Sequence, residues 1–188
     1  MPNNNCCGIK NKDAGANMSI NVVKMPAVGS YLCSNGKTRQ CKKRPKNVLL
    51  QAFGAAKRKI IVFIYAFNDD DIAEALVDAA ERGVRVQVFV DYEQSIEQQT
   101  RDAFPDELPL RLDLFRCYTS DSDRDRYIKP MHLKLAYVDN YEIAGSFNYT
   151  NAATRYNTEI LVVSKRRPEQ VISDIKFIHK SIVIVGRL

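Results

Sequence analysis

Apolar and polar residues in the middle of the chain alternate with periods that predict strands and helices in turn. Residues 59–67 (KIIVFIYAF) are almost continuously apolar, which is typical of a strand buried on both faces of a sheet. Residues 70–82 place apolar side chains on one helical face behind an acidic first turn, and Gly83 ends this helix. Residues 84–91 (VRVQVFVD) predict a second strand. The order strand–helix–strand therefore indicates a right-handed parallel crossover.

The same alternation continues through the rest of the chain. Asp139 and Asn140 form a turn between two strands that we expect to pair as a hairpin, and Gly145–Ser146 turns the chain towards a short helix. The remaining elements are helices over residues 47–57 (with Asn47 as a plausible N-cap), 93–104, 148–154 and 168–180, strands over 110–117, 131–138, 141–144 and 159–164, and an apolar terminus that is either an edge strand or an artefact of the chain end.

These elements predict a mixed α/β fold in which helices cover both faces of one largely parallel sheet. Residues 1–28 are rich in Asn, Gly and Lys without a period, so we expect this segment to be mostly disordered. Residues 29–46 form a basic connector, and residues 47–188 form the single domain that the chain length suggests.

The charge of the chain favours anionic partners. It carries 28 basic and 22 acidic residues, a net charge of +6. Nucleic acid, phosphorylated ligands or an acidic membrane surface would suit this charge, although a merely basic surface explains it equally well. No apolar run reaches the ~20 residues of a membrane helix. Without an apolar signal core, the sequence favours a cytoplasmic location, or a secreted or periplasmic one if its N-terminus is incomplete.

The cysteines give a weaker signal than the charge. Their number is five, which is odd, and a chain of this size needs no disulfide framework. Cys33 and Cys41 could close a small loop or contribute to a metal site. No second Cys/His pair has zinc-ribbon spacing, so unpaired thiols fit the sequence better.

The residue types best suited to catalysis cluster between His132 and Glu159. His132 and Lys134 are two positions apart in a predicted strand, so their side chains share one face. An anionic substrate would pair with both, and imidazole can serve as a nucleophile or as a general acid–base near neutral pH. Ser146 and Asn148 offer neutral groups that suit phosphate oxygens. The carboxylate of Glu159 could accept from the histidine ring and fix its tautomer.

This stretch resembles the HKD motif of the phospholipase D superfamily. HLKLAYVD has the pattern HxKxxxxD, and GSFN and a downstream Glu follow it. The resemblance extends upstream to YAFNDDDIAEALVDAAERGVRVQVFVD and covers roughly residues 46–180 of the chain, as in family members that carry one motif. The spacing from Asp139 to Gly145 is one residue shorter than is usual. A shorter hairpin turn would absorb this difference.

The resemblance implies a phospholipase D-like fold and a role for each residue of the motif. His132 would attack phosphorus and form a phosphohistidine, and Lys134 and Asn148 would stabilise the equatorial oxygens. Ser146 would contribute a further phosphate contact, and Glu159 would orient His132. No metal or other cofactor is implied, because Lys134 and the neutral donors neutralise the charge.

The resemblance also implies a partner. The leaving oxygen needs an acid, and the chain has one HxK, so a homodimer would bring two copies of His132 together at the subunit interface. Asp139 would have a structural or interface role, and Gly145 would make the turn of the motif.

Three functions follow as hypotheses. The first is a phosphodiesterase that hydrolyses DNA or RNA with little sequence specificity, similar to small bacterial endonucleases. Tyr127, Tyr149 and Tyr156 could stack bases, although such aromatics more often pack in an α/β core. The second is a membrane phospholipid hydrolase resembling mitochondrial cardiolipin hydrolases. The third is a non-catalytic nucleic-acid-binding protein on the same fold.

Overall fold

Strands and helices alternate along the part of the chain that the computed structural model describes, which comprises residues 20–25, 30–32, 38–40, 44–96, 100, 102–120 and 129–188. The strands are β1 (Ile20–Met25), β2 (Ser30–Leu32), β3 (Thr38–Gln40), β4 (Lys59–Ile64), β5 (Arg85–Asp91), β6 (Leu112–Thr119), β7 (Lys134–Val138), β8 (Tyr141–Gly145), β9 (Glu159–Lys165) and β10 (Ile182–Arg187). The helices are α1 (Pro45–Ala55), α2 (Asp70–Glu81), α3 (Tyr92–Ser95), α4 (Asn151–Arg155) and α5 (Pro168–Ser181).

Eight of these strands form one mixed sheet in the order β1-β9-β8-β7-β4-β5-β6-β10. The pairings of β5 with β4 and with β6 are parallel. The other five pairings are antiparallel, so the prediction of a largely parallel sheet was wrong. The parallel pairs are those that α2 and the segment after β5 connect, since a parallel pair needs a crossover, whereas the two-residue turn after β7 joins β7 and β8 as an antiparallel hairpin.

The sheet is covered by helices on both faces, as the pattern of apolar residues predicted. On one face, Leu49 and Phe53 of α1 and Leu76 of α2 pack with Val62 of β4 in the larger apolar cluster. On the other face, Val171 of α5 joins a smaller cluster beneath the sheet. Central strand β4 is therefore buried on both sides, which explains its continuous apolar sequence.

The helix ends differ in how well the sequence located them. Asp69 caps α2 by accepting a hydrogen bond from the backbone of Ile72 at 3.2 Å, and Gly83 follows the helix with a φ of 92°. Helix α1 begins at Pro45, so Asn47 lies inside it and is not the N-cap. Proline is favoured at a first helical position because its missing N–H would have no partner there. Helix α3 ends at Ser95, residues 100 and 102 are also helical, and residues 97–99 and 101 of the predicted helix lie outside the described residues.

The two edges of the sheet settle two further expectations. Strand β1 falls inside the segment that was predicted to be mostly disordered, where its β-branched residues pair with β9. Strand β10 pairs with β6, so the apolar terminus is an edge strand. Cys33, Cys41 and Tyr127 lie outside the described residues. Within the described ranges, no helix is both long and apolar enough to cross a membrane.

Candidate active site

Several strand ends meet at one edge of the sheet, and the candidate residues lie there. The pairing of Ile64 with both Val90 and Lys134 brings the ends of β4 and β5 beside the start of β7. The pairing of Gly145 with Leu161 brings the end of β8 beside the start of β9. Carboxyl ends of parallel strands are a common place for ligand sites in α/β sheets. The hairpin strands add their own termini to this edge.

His132 and Lys134 share one face of the chain at this edge, as the two-residue period predicted. The Nζ atom of Lys134 lies 3.1 Å from both ring nitrogens of His132 and donates to its backbone carbonyl oxygen at 3.1 Å. Met131, which points the other way, is buried in the smaller apolar cluster. Strand β7 begins at Lys134, so exposed His132 precedes the regular pairing and its ring is open to solvent. Only a neutral imidazole offers a lone pair to this ammonium group.

Tyr65 supports both side chains, and the sequence analysis did not single it out. Its ring centroid lies 4.5 Å from that of His132, and the ammonium of Lys134 lies 4.9 Å from the same tyrosine ring. The second contact has the geometry of a cation–π interaction. Tyr65 follows β4 directly and its backbone N–H donates to the carbonyl of Leu133 at 2.9 Å. The sequence signal for this role was a tyrosine at the end of a buried strand. The long apolar run did not show at which residue that strand ends.

Burial lowers the pKa of Lys134, because desolvation disfavours the ammonium form. The carboxylates of Glu159 and Asp91 oppose this effect by stabilising the positive charge. The lysine is thus a partly desolvated cation with two anions near it. Such a cation interacts more strongly with a bound anion than a fully hydrated one does.

Ser146 and Glu159 are joined by a hydrogen bond from the serine hydroxyl to Oε2 of the carboxylate. Asn157 donates to the other carboxylate oxygen at 3.1 Å, and the backbone N–H of Ile160 donates to the serine hydroxyl at 3.0 Å. Glu159 is buried, with 6% of its surface exposed. Among the hydrogen bonds of the described residues, none joins Glu159 to His132. The predicted orienting role of Glu159 therefore stays a prediction, and its observed contact is with Ser146.

Gly145 allows the ends of β8 and β9 to come together. A Cβ atom at this position would overlap the carbonyl oxygen of Ile160 and lie 2.9 Å from the carbonyl carbon. The next residue, Ser146, donates its backbone N–H to that same carbonyl oxygen at 3.0 Å. Glycine is thus needed for a close backbone approach that sets the position of Ser146.

Asn148 lies beyond this turn with its Oδ1 atom buried and without a hydrogen-bond partner. Buried polar atoms are almost always paired, so an unpaired one marks a place where a ligand or water completes the contacts. The flanking residues Phe147 and Tyr149 are fully buried and fix this segment against the core. Tyr149 is therefore a packing residue, whereas Tyr156 is 77% exposed.

Asp139 lies at the opposite end of β7 from His132. Its carboxylate accepts hydrogen bonds from the backbone N–H groups of Lys57, Arg58 and Lys59 at 2.9, 2.9 and 3.1 Å. Partial burial would raise the pKa of this carboxyl, but these hydrogen bonds outweigh it and hold the pKa below its usual value. Asp139 therefore links the β7–β8 turn to the start of β4.

The turn at Asp139 has the short form that the spacing required. Val138 pairs with Tyr141, so two residues connect the strands, and Asp139 has a φ of 52°. Aspartate tolerates this left-handed conformation better than most residues.

The described residues contain no group of three or more His, Cys, Asp or Glu side chains that could hold a metal ion.

Comparison with known proteins places the chain in a family. Residues 49–180, more than half of the chain, match the family model described as "Cardiolipin synthase, PLD-like domain". The chain belongs to the phospholipase D superfamily. A curated relative in this superfamily, a mitochondrial cardiolipin hydrolase of Chlamydomonas reinhardtii, is 28% identical over 115 residues, or 61% of this chain. The match spans 47% of the length of that relative.

Solved structures of the superfamily resemble this chain over most of its length. NucT from Helicobacter pylori superposes with a TM-score of 0.72 at 22% identity, covering 90% of this chain and 99% of that one. The phospholipase D family member Nuc from Salmonella typhimurium superposes with a TM-score of 0.61 at 25% identity, covering 88% and 94%. These similarities confirm the predicted mixed α/β fold with a phospholipase D-like architecture.

Proposed function

We propose that this chain is a metal-independent phosphodiesterase that hydrolyses nucleic acid through a phosphohistidine intermediate. The observation that carries the proposal is the pair formed by His132 and Lys134, with Nζ 3.1 Å from the imidazole nitrogens on an open edge of the sheet. A nucleophile and a cation so placed can contact the phosphorus and a non-bridging oxygen of one phosphodiester. Membership of the phospholipase D superfamily supports phosphodiester chemistry.

In the first step, a ring nitrogen of His132 attacks phosphorus and the bond to the leaving oxygen breaks. Charge on the non-bridging oxygens is stabilised by the ammonium of Lys134 and by the Nδ2–H donors of the Asn148 amide. Ser146, held by Glu159, supplies a further contact. In the second step, water attacks phosphorus, the P–N bond breaks, and the phosphate leaves as His132 is regenerated.

A proton must reach the leaving oxygen in the first step and must leave the water in the second. The described part of the chain holds one other histidine, His179 of helix α5. Its ring packs against Phe63 and Phe89 of the sheet. We assign both proton transfers to the copy of His132 in a second subunit, so the active unit is a homodimer. Leu133, Tyr156 and Ile160 are exposed apolar residues near the site, and they are suited to such an interface.

Nucleic acid is the substrate that the charge of the chain favours. The net charge of +6 would attract a polyanionic backbone, and binding would weaken steeply as the salt concentration rises, because counterion release then becomes less favourable. Exposed Tyr156 could stack on an unpaired base, since base–aromatic stacking does not depend on sequence.

Hydrolysis of a phospholipid is the second candidate. The curated relative is named a cardiolipin hydrolase, and the exposed apolar residues near the site could equally contact acyl chains. Cardiolipin is also an anionic phosphodiester, so the same chemistry applies to it. The two candidates differ in the substrate rather than in the reaction.

A substrate panel in excess EDTA tests the proposal. Plasmid, single-stranded DNA, single-stranded RNA and cardiolipin vesicles would each be incubated with wild-type protein and with His132→Asn. We expect cleavage of nucleic acid by the wild type that falls as salt rises, and none by the variant. Faster turnover of cardiolipin vesicles would establish the second candidate. Loss of all cleavage on chelation would contradict the metal-independent mechanism, and an inert but dimeric wild type would contradict the enzymatic function.

A further inference from the structure

A buried carboxylate that has no part in the mechanism above lies behind the site. Asp91 is the last residue of β5 and has 1% of its surface exposed. Its Oδ1 atom accepts hydrogen bonds from the backbone N–H groups of Glu93 and Gln94 at 3.2 and 3.4 Å, which caps helix α3. Its Oδ2 atom accepts a hydrogen bond of 2.7 Å from the backbone N–H of Met131. That second bond joins two segments 40 residues apart in the chain.

Asp91 holds the backbone of Met131, the residue immediately before His132. The side chain of Met131 is buried with Cys117 in the smaller apolar cluster. Thr119 at the end of β6 adds a hydrogen bond from its backbone N–H to the carbonyl of Lys129 and one from its hydroxyl to the carbonyl of Pro130. Three successive residues are thus tied to the ends of β5 and β6. The histidine that follows them is outside regular strand pairing, so these ties fix where its backbone begins.

The charge of Asp91 also acts on Lys134. Three groups from other elements act on this ammonium: the carboxylates of Glu159 in β9 and Asp91 in β5 act through their charge, and the ring of Tyr65, the residue after β4, lies 4.9 Å away. The fourth neighbour is the imidazole of His132. Asp91 and Glu159 are the two anions in this group, and each stabilises the charged form of the lysine.

We propose that Asp91 is a positioning residue for the reaction, which holds His132 through the backbone N–H of Met131 and supports the positive charge of Lys134. The inference rests on the function proposed above, because it assigns Asp91 to the support of that same pair. A hydrogen bond that a backbone N–H donates to a buried carboxylate is among the stronger kinds. A displacement of a catalytic group by about 1 Å can cost about a hundredfold in rate.

Two substitutions separate the two parts of this role. Asp91→Ala removes the acceptor and the charge, and we expect kcat to fall about 10–100-fold while KM changes by less than about threefold. Asp91→Asn keeps one acceptor oxygen but removes the charge, so kcat should fall less. Its alkaline limit of activity should move to lower pH, because Lys134 loses one of its two anions. Hydrogen exchange at the Met131 amide should be faster in Asp91→Ala than in the wild type.

Asp113→Asn is the matched control. Asp113 is a partly buried carboxylate near the start of the neighbouring strand β6, and its ion-pair partners are Arg85 and Arg187. These residues lie at the opposite end of the strands from His132. It should leave kcat, the alkaline limit and Met131 exchange as in the wild type. The proposal is overturned if both Asp91 variants lose no more kcat than this control, or if the alkaline limit and Met131 exchange do not move.

The test also separates the proposal from the proposed function. If the wild type cleaves no substrate, that function fails, and Met131 exchange together with the ring resonances of His132 still decides the positioning role. Changes in both for Asp91→Ala support it, and unchanged signals contradict it. If Asp91→Ala does not fold, Asp91→Asn decides through the ring resonances of His132 and the alkaline limit of activity, and unchanged values of both would contradict the role.

Discussion

The two histidines of the chain have neighbourhoods that differ in kind. Solvent reaches both side chains. His132 has the ammonium of Lys134 3.1 Å from its ring nitrogens and lies where strand ends converge. His179 packs its ring against Phe63 and Phe89, with centroids 5.8 and 5.1 Å away, and partial burial lowers its pKa. His132 therefore lies beside an ammonium group that can bind the same phosphate, whereas His179 lies beside apolar rings.

The comparison shows that the close approach of a histidine and a lysine side chain depends on their spacing and backbone conformation rather than on the residue types alone. His179 is followed directly by Lys180 and Ser181, so the same three residue types occur in α5. Adjacent residues of a helix point about 100° apart, whereas alternate residues of an extended chain share a face. Helical geometry therefore separates the second set, and strand geometry joins the first.

Replacing the two histidines in turn should give the largest contrast. His132→Asn should lower kcat on the order of 10⁴-fold or more, because it removes the nucleophile. His179→Gln should leave kcat near the wild-type value and affect mainly stability. Steady-state kinetics on the preferred substrate, with circular dichroism to confirm folding, would check both. Similar losses in the two variants would mean that His132 has no special role.

Replacing the two lysines should give the next contrast. Lys134→Ala should lower kcat about 10²–10³-fold, since a group that stabilises transition-state charge is lost, whereas Lys180→Ala should have little effect. Burial lowers the pKa of Lys134, so its proton is lost as pH rises through a value below the ordinary one. A pH–rate profile should therefore show activity that begins to fall at a pH below 10.5, the ordinary pKa of lysine. A profile identical in Lys134→Arg would contradict this assignment.

Adding one methyl group tests the close contact that positions Ser146. Gly145→Ala should cost about 1–3 kcal/mol of unfolding free energy, because the new Cβ overlaps the backbone of Ile160. The matched Gly186→Ala lies in edge strand β10, where a Cβ would meet no atom within 4 Å. Urea denaturation of both variants would measure the difference. Equal free energies of unfolding would show that β8 and β9 can separate without cost.

The smallest expected effect concerns Asp139. Asp139→Asn should cost about 1 kcal/mol at neutral pH, because the hydrogen bonds that three backbone N–H groups donate to this side chain lose their charged acceptor. Glu169→Gln in α5 breaks an exposed ion pair with Arg167 and should cost less than about 0.5 kcal/mol.

The cost of Asp139→Asn should depend on pH in a defined direction. The folded-state pKa of Asp139 is lowered, so its stabilisation is present above the unfolded pKa and is lost as pH falls through the folded pKa. Denaturation of wild type and variant from pH 7 down to pH 3 should show the gap closing. A gap that is constant with pH would mean that the carboxylate charge contributes nothing.

The sequence predicted the parts of the site that depend on local geometry. The shared face of His132 and Lys134 follows from strand alternation, and a structural role was expected for Asp139. Tyr65 and Asp91 reach the site through pairings of distant segments, which no local pattern encodes. The same reason explains why the direction of most strand pairs was missed. Glu159 was placed correctly in the cluster by its residue type, but its partner in the structure is Ser146.

The central claim is that His132 is the nucleophile, and trapping the covalent intermediate tests it most directly. The protein would be mixed with an excess of bis(p-nitrophenyl) phosphate in EDTA, quenched in base within milliseconds, digested and analysed by mass spectrometry. We expect an acid-labile phosphoryl adduct on His132, formed and lost at rates that account for kcat and absent from His132→Asn. Turnover without such an adduct, or an adduct on His179 instead, would contradict the mechanism.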